Sequence, residues 1–293
     1  MPVDPLLARA RALWEGLAAA PVSFAPRGGV SVVASPESSL CPAGWVGVVS
    51  LGGAAIVTAP TERSAAWVRD GLAALPVEAV TDADAVREVL PVVRVLGPAT
   101  LSYASPDAFR SASPGALAVR RLPGDHPDLR SLEVAAGEDD AGEAALRDIT
   151  SPAFVIRAGG GVVAAAGYEA WPGLVAHISV LTDPAWRGRG LAKVTASATV
   201  AHALAAGLLP QWRARPLASR RVAAALGFQE LGAQLSINLA WPGAPPAGIA
   251  LGLTWGDGAQ TCATCPPLYI RVVTQSGTVA PAGRFTGLGA GPR

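Results

Sequence analysis

The run Val175-Ala-His-Ile-Ser-Val-Leu-Thr-Asp-Pro-Ala-Trp-Arg-Gly-Arg-Gly-Leu-Ala192 constrains the fold more than any other stretch. Val175 to Thr182 is apolar and rich in β-branched residues, which predicts a buried or half-buried strand. Pro184 ends it, because proline cannot donate to a ladder. From Leu191 the apolar period becomes helical. Leu191, Val194, Ala198, Ala201 and Ala205 are expected on one buried face, with Gly207 as the stop. Between strand and helix, Arg187-Gly-Arg-Gly190 places unpaired backbone N–H groups at a helix start. Its glycines let a ligand approach that backbone, and two guanidinium groups stand beside it. Such a junction suits a phosphate or pyrophosphate. It lacks the Lys-Ser/Thr ending of a P-loop and the G-x-G-x-x-G spacing of a dinucleotide site.

The rest of the chain divides around this junction. Residues 4–20 carry Leu6, Leu7, Ala10, Leu13, Trp14 and Leu17 at helical spacing. Short strands are expected at 30–34, 46–51 and 54–58, the last two joined by Gly52-Gly53. Helices follow at 61–75 and 82–90, the second capped by Thr81 or Asp82. Two further strands, 92–96 and 99–104, flank Gly97-Pro98. These elements make an N-terminal α/β region, 1–112. The Ser/Pro/Gly stretch 111–115 is the linker. A second unit, 116–241, begins with a strand at 117–122. Helical pattern with an acidic cluster covers 127–149. A hairpin, 154–158 with 162–168, then leads through Trp171-Pro-Gly173 into the junction strand. Residues 234–240 form the last strand. The final stretch, 242–293, holds four charges, Asp257, Arg271, Arg284 and Arg293, and no sustained period, so an irregular or disordered tail is expected.

Composition excludes several classes. A net charge of +1 argues against nucleic acid or an anionic membrane as the main partner. Apolar residues make up 51% of the 293, enough for a buried core, and charged residues only 15%. Three cysteines provide no disulfide framework. Cys262-x-x-Cys265 has no second pair and no nearby histidine to complete a zinc site, so no metal is expected. The uncharged run 38–61 is broken by Pro42, Gly44, Gly47 and Gly52-Gly53 and does not predict a membrane span. No signal peptide is evident at the N-terminus, so a cytoplasmic location is expected.

The order Arg187-x-x-Gly190-x-Ala192 resembles the acetyl-coenzyme A signature, R/Q-x-x-G-x-G/A, of the GCN5-related N-acetyltransferase (GNAT) superfamily. Leu208-Leu-Pro-Gln-Trp212 is similar to that family's fifth strand, and Ser219-Arg-Arg-Val-Ala-Ala-Ala-Leu-Gly-Phe228 to its next helix with the closing Leu-Gly-Phe. The resemblance covers roughly 116–240. It implies an α/β (α+β) fold with a mixed, mostly antiparallel sheet flanked by helices. Ile56-Val-Thr-Ala-Pro60 followed by a helix echoes Val180-Leu-Thr-Asp-Pro184. A degenerate second copy of the half-fold and chance similarity in an Ala, Val and Gly-rich chain are both open readings.

The resemblance further implies an acetyl-coenzyme A-dependent N-acetyltransferase acting by direct transfer. Arg187, Gly188, Arg189, Gly190, Leu191 and Ala192 would hold the pyrophosphate. Backbone groups of Val180, Leu181 and Thr182 would lie along the pantetheine arm, with the amide near Leu181 donating to the oxyanion. Val175, His177, Ser179 and Leu181 share a strand face. His177, which titrates near neutrality when unperturbed, and Glu169, at the end of the preceding strand, are the two candidate bases. Ser219 either contacts the coenzyme or caps its helix. Two positions depart from the family pattern: Ala223 stands where a tyrosine acid is common, and Arg215-Pro216 where an asparagine is. Trp171, Trp186 and Trp212 either wall an acceptor pocket or pack the core. The expected acceptor is a small-molecule amine, and a homodimer is compatible with the sequence. The alternatives are a non-catalytic acyl-coenzyme A sensor or assembly module and a protein N-acetyltransferase.

Overall fold

The computed structural model describes residues 4–26, 28–113 and 118–240. The expected tail at 242–293, with Cys262 and Cys265, lies outside the described residues, as do Pro114 and Gly115 of the linker.

Helix α1 spans Pro5–Leu17. Asp4 caps it by accepting from the Leu6 amide, and Leu6, Ala10, Leu13, Trp14 and Leu17 are buried. Strands β1 (Gly29–Ala34), β2 (Val46–Leu51) and β3 (Ala54–Ala59) follow, with Gly52-Gly53 turning β2 into β3. Helix α2 (Glu62–Leu72) opens with a capping box between Thr61 and Ser64. Asp82 caps α3 (Ala83–Val89) by accepting from the amides of Asp84 and Ala85. The pair of strands expected around Gly97-Pro98 is one continuous strand, β4 (Val92–Tyr103). It absorbs the proline through register shifts against its neighbour, which spare that neighbour a missing donor.

The second unit begins at β5 (Arg120–Leu122). Two helices follow, α4 (Pro127–Ala136) and α5 (Glu138–Ala144). Next come β6 (Ala153–Ala158), β7 (Gly161–Trp171), β8 (Val175–Thr182), α6 (Leu191–Ala205), β9 (Leu209–Ala214), α7 (Leu217–Ala225) and β10 (Gln229–Leu239). The expected apolar face of α6 is wrong in its second half. Ala201 and Ala205 are exposed, while Leu191, Val194, Thr195, Thr199, Val200 and Ala203 are buried. In a helix this rich in alanine the larger β-branched side chains choose the buried face. The glycine of Leu226-Gly-Phe228 is required by its surroundings. Gly227 has φ 87°, and a Cβ there would lie 1.9 Å from the Ala108 carbonyl oxygen.

The described strands form one ten-stranded mixed sheet in the order β1-β3-β2-β10-β4-β9-β8-β7-β6-β5. Only β1–β3 and β8–β9 are parallel. β4 lies between β10 and β9, so the sheet runs without interruption from the N-terminal strands into the second unit. One face, with Trp171, Val175 and Leu209, packs under α1 through Leu13 and Trp14. On the same face Val155, Ala165 and Leu181 pack under α4 through Leu129 and Leu132. The opposite face carries α6 and α7, with Ala166, Ile178 and Trp212 against Val200, Ala223 and Leu226. No helix among the described residues is long and apolar enough to cross a membrane.

Candidate active site

Parallel strands β8 and β9 pair at only three positions: Val175 with Leu209, Ala176 with Pro210, and His177 with Gln211. Beyond these, β8 stays with β7 as far as Thr182. β9 instead follows β4 through Trp212, Arg213 and Ala214. The strands therefore part, and β8 from Ile178 to Thr182 has no strand on its β9 side. A cleft of about 430 Å³ occupies the gap. That bare edge, Arg187, Gly188, Gly190, Leu191, Ala192 and Lys193 line one wall. Trp212, Arg213, Ser219 and Val222 line the other.

The start of α6 faces this cleft uncapped. Gly190 is its N-cap in the left-handed region, φ 75° and ψ 6°, and makes no side-chain cap bond. Among the described residues, the amides of Gly188 and of Gly190 through Lys193 donate to no protein acceptor, while Arg189 closes the turn that follows Trp186. A Cβ built at Gly188 or Gly190 meets nothing within 4 Å, so the space over both backbones is open. The start of α2 is different. It also follows a hairpin, but Thr61 and Ser64 satisfy its first amides from within. Unsatisfied donors at the positive end of a helix dipole suit an anion. The residues present therefore fit a diphosphate.

The arginines divide. Arg187 lines the cleft, its Nη2 paired with Asp140 of α5 and its Nε donating to the Thr182 carbonyl at 3.4 Å. Arg215, across the gap, pairs with Glu143 of the same helix. Exposed pairs of this kind contribute about 0–1 kcal/mol, so Arg187 can exchange Asp140 for a phosphate at little cost. Arg189, expected to grip the same anion, is not among the residues lining the cleft. Its guanidinium stacks over the Trp186 ring, 4.5 Å from the centroid, and that attraction holds it away.

His177 lies where β8 and β9 separate. Its Nδ1 is 2.5 Å from Gln211 Oε1, and its ring stacks on Trp171 at 4.3 Å between centroids. Since the glutamine oxygen accepts, Nδ1 carries the proton and Nε2 holds the free lone pair. The expectation that His177 titrates near neutrality does not hold. Burial, with the Arg213 guanidinium adding to it, pushes its pKa down to about 3. Glu169 faces His177 directly across the β7–β8 ladder. Its Oε2 accepts from Trp171 Nε1 at 2.9 Å, and burial raises its pKa. Glu169 is not part of the cleft lining and stands behind His177. Ser219 does line the cleft and does not cap α7; its oxygen accepts from Trp212 Nε1 at 3.0 Å. Ala223, at the position of the family's tyrosine, is buried against the sheet. The three tryptophans do not form a single wall. Trp186 and Trp212 border the cleft, while Trp171 is core on the α1 side.

Two site residues were not legible beforehand. Gln211 fixes the histidine tautomer and stands beside the Tyr103 hydroxyl, which in turn accepts from Trp14 Nε1 at 2.7 Å. Arg213 lies one residue beyond the strand expected at 208–212. The alternation Gln211-x-Arg213 on a strand that continues to Ala214 was the available signal. Among the described residues, no group of three His, Cys, Asp or Glu gathers for a metal. Cys41 is buried, its thiol pushed up to about 12, which makes it a poor nucleophile.

The buried histidine has a consequence for stability. The unfolded chain binds a proton at His177 near its ordinary pKa of 6.5, whereas the folded chain resists until about pH 3. Stability is therefore intact above the unfolded value and falls with acidification through that window. Between pH 7 and pH 5 this group accounts for a loss of about 2 kcal/mol. Denaturant titrations at both pH values should show a His177→Gln variant losing less stability than the parent by that amount. Equal losses would mean that the imidazole is not held neutral.

A family model of GNAT acetyltransferases matches residues 151–233. None of the curated proteins matches the chain. Among solved structures, the chain is similar to a GCN5-related N-acetyltransferase from Kribbella flavida, with 19% identity and a TM-score of 0.40 over 54% of this chain and 63% of that one. It is similar to a GCN5-related N-acetyltransferase-like protein from Streptococcus suis, with 24% identity and a TM-score of 0.36 over 53% of this chain and 66% of that one. It is also similar to the protein yncA of Salmonella typhimurium, solved with its cofactor acetyl-CoA, at 19% identity and a TM-score of 0.33 over 45% of this chain and 98% of that one. The chain thus spans less than two thirds of the length of the first two.

Proposed function

We propose, from the match of residues 151–233 to a family model of GNAT acetyltransferases, an acetyl-coenzyme A-dependent N-acetyltransferase that modifies a small-molecule amine by direct transfer. The observation that carries the reading is the set of unpaired amides at Gly188 and from Gly190 to Lys193 on the wall of a 430 Å³ cleft. In this reading those amides and Arg187 hold the diphosphate. The bare edge of β8 at Val180–Thr182 pairs with the amide-bearing arm as an added strand would. The coenzyme supplies an acyl carbon joined to a thiolate leaving group. An N–H near Leu181 faces the carbonyl oxygen as charge develops on it.

The acceptor nitrogen bonds to the acyl carbon while the carbon–sulfur bond breaks. Its proton passes by way of water to Glu169, which stands behind His177 and whose raised pKa suits a base better than the depressed one of His177. His177 Nε2, neutral and locked by Gln211, accepts a hydrogen bond from the amine and aligns it. The Ser219 hydroxyl stands beside the departing sulfur. With a thiol pKa near ~8.5, the sulfur can also leave as the thiolate.

Thiol release from acetyl-coenzyme A, followed against a panel of primary amines and N-terminal peptides, tests this reading. Release should depend on a small amine. It should rise with pH through a limb above the ordinary carboxylate range, because Glu169 works only when ionised. The buried Ala223 in place of a tyrosine acid favours a second reading, a module that binds the coenzyme without turning it over. Tight binding with no thiol release from any amine would establish that one. Release with peptides alone would establish a protein N-acetyltransferase.

A further inference from the structure

Arg213 has more positive charge than its surroundings answer. It is partly buried, lines the cleft, and points from the same face of β9 as Gln211, next to His177. Among the described residues its one hydrogen bond is from Nη1 to the neutral Gln234 Oε1, a long 3.3 Å. No carboxylate comes within 4.0 Å of it among the described residues, although Arg187 and Arg215 on the two sides of the cleft are both paired. A guanidinium presents five donors in a fixed fork, and most of these are unused. Burial of so weakly matched a cation lowers its pKa. Glu143 and Glu169 are felt only at a distance, and Glu143 is committed to Arg215.

We propose that Arg213 binds a carboxylate carried by the acceptor itself, so that the substrate is an amine with its own carboxyl group, of amino-acid type. The inference rests on the acetyltransferase reading and names the substrate class of that site. The strand geometry supports it. Arg213 is two residues past Gln211, the partner of His177, which is roughly 7 Å along the strand. A carboxylate on the guanidinium therefore leaves the amine of a compact molecule within reach of the His177–Glu169 pair. Arg213 on the cleft wall and Glu169 behind His177 carry opposite charges, as the two ends of a zwitterion require. A neutral amine would leave the guanidinium buried without an anion, and that is the source of the selectivity.

The test uses the full chain, acetyl-coenzyme A and matched acceptors: alanine with ethylamine, leucine with isopentylamine, phenylalanine with 2-phenylethylamine, then β-alanine and 4-aminobutyrate to set the spacing. Thiol release should favour the carboxylate member of each pair by about 100-fold or more in kcat/KM. In Arg213→Gln that ratio should collapse at least tenfold, with Arg213→Lys intermediate, while coenzyme affinity reports that the fold is retained. If neutral amines turn over as well as their carboxylated partners, the inference is wrong and the acetyltransferase reading stands. Should no amine of either kind release thiol while coenzyme binds, the acetyltransferase reading fails and takes the inference with it.

Discussion

Replacing Arg187 with alanine and Gly190 with valine together should weaken acetyl-coenzyme A binding by about 100-fold or more, which is roughly 2.7 kcal/mol. Two separate losses add. The Arg187 guanidinium gives up a charge-assisted contact to the diphosphate, worth about 1.5–3 kcal/mol. Valine at 190 must abandon or strain the left-handed conformation of φ 75°, and its side chain would fill the open space over the amides of the α6 start. The fold should survive, because both positions are exposed and no core side chain touches them. Isothermal calorimetry beside a thermal melt separates the effects. Unchanged affinity in a folded variant would remove the diphosphate from this turn and the proposed activity with it.

The second large effect should come from far outside the cleft. Trp14 is fully buried on α1; it donates to the Tyr103 hydroxyl and meets Trp171 edge-on at 6.2 Å. Trp171 is the ring on which His177 stacks. Trp14→Ala should cost about 3–5 kcal/mol of stability, the usual range for deleting a large buried aromatic. Denaturant midpoints at pH 7 would measure it. A loss below about 1 kcal/mol would mean that α1 is not part of the core that supports the site.

The junction between β8 and α6 was readable because its chemistry is local. Pro184 stops a strand, Gly188 and Gly190 open a turn, and the helical period begins at Leu191, all within one short stretch. The parting of β8 and β9 was not readable in the same way. It depends on β9 pairing with β4, a strand more than a hundred residues earlier, and no local pattern records that choice. The fate of His177 illustrates the same limit. Its position on a strand face follows from alternation, but its charge state depends on Gln211, Trp171 and Arg213, which come from elements distant in sequence. The stacking of Arg189 on Trp186 is not legible in the same way, because composition near a phosphate-like turn does not reveal a neighbouring indole. The α6 face was misjudged because alanine barely distinguishes inside from outside. The repeat suggested by Ile56–Pro60 meets a helix start that supplies its own cap, a detail carried by Thr61 and Ser64.

The seating of β4 against β9 gives this enzyme-like cleft an unusual dependency. The space beside β8 exists because its neighbour is committed elsewhere, to a strand that itself never borders the opening. The aperture is therefore set from behind: Thr100 to Tyr103 hold β9 like the fixed leaf of a door. Sequence drift in that back strand can retune what fits the cleft without altering a single residue that lines it.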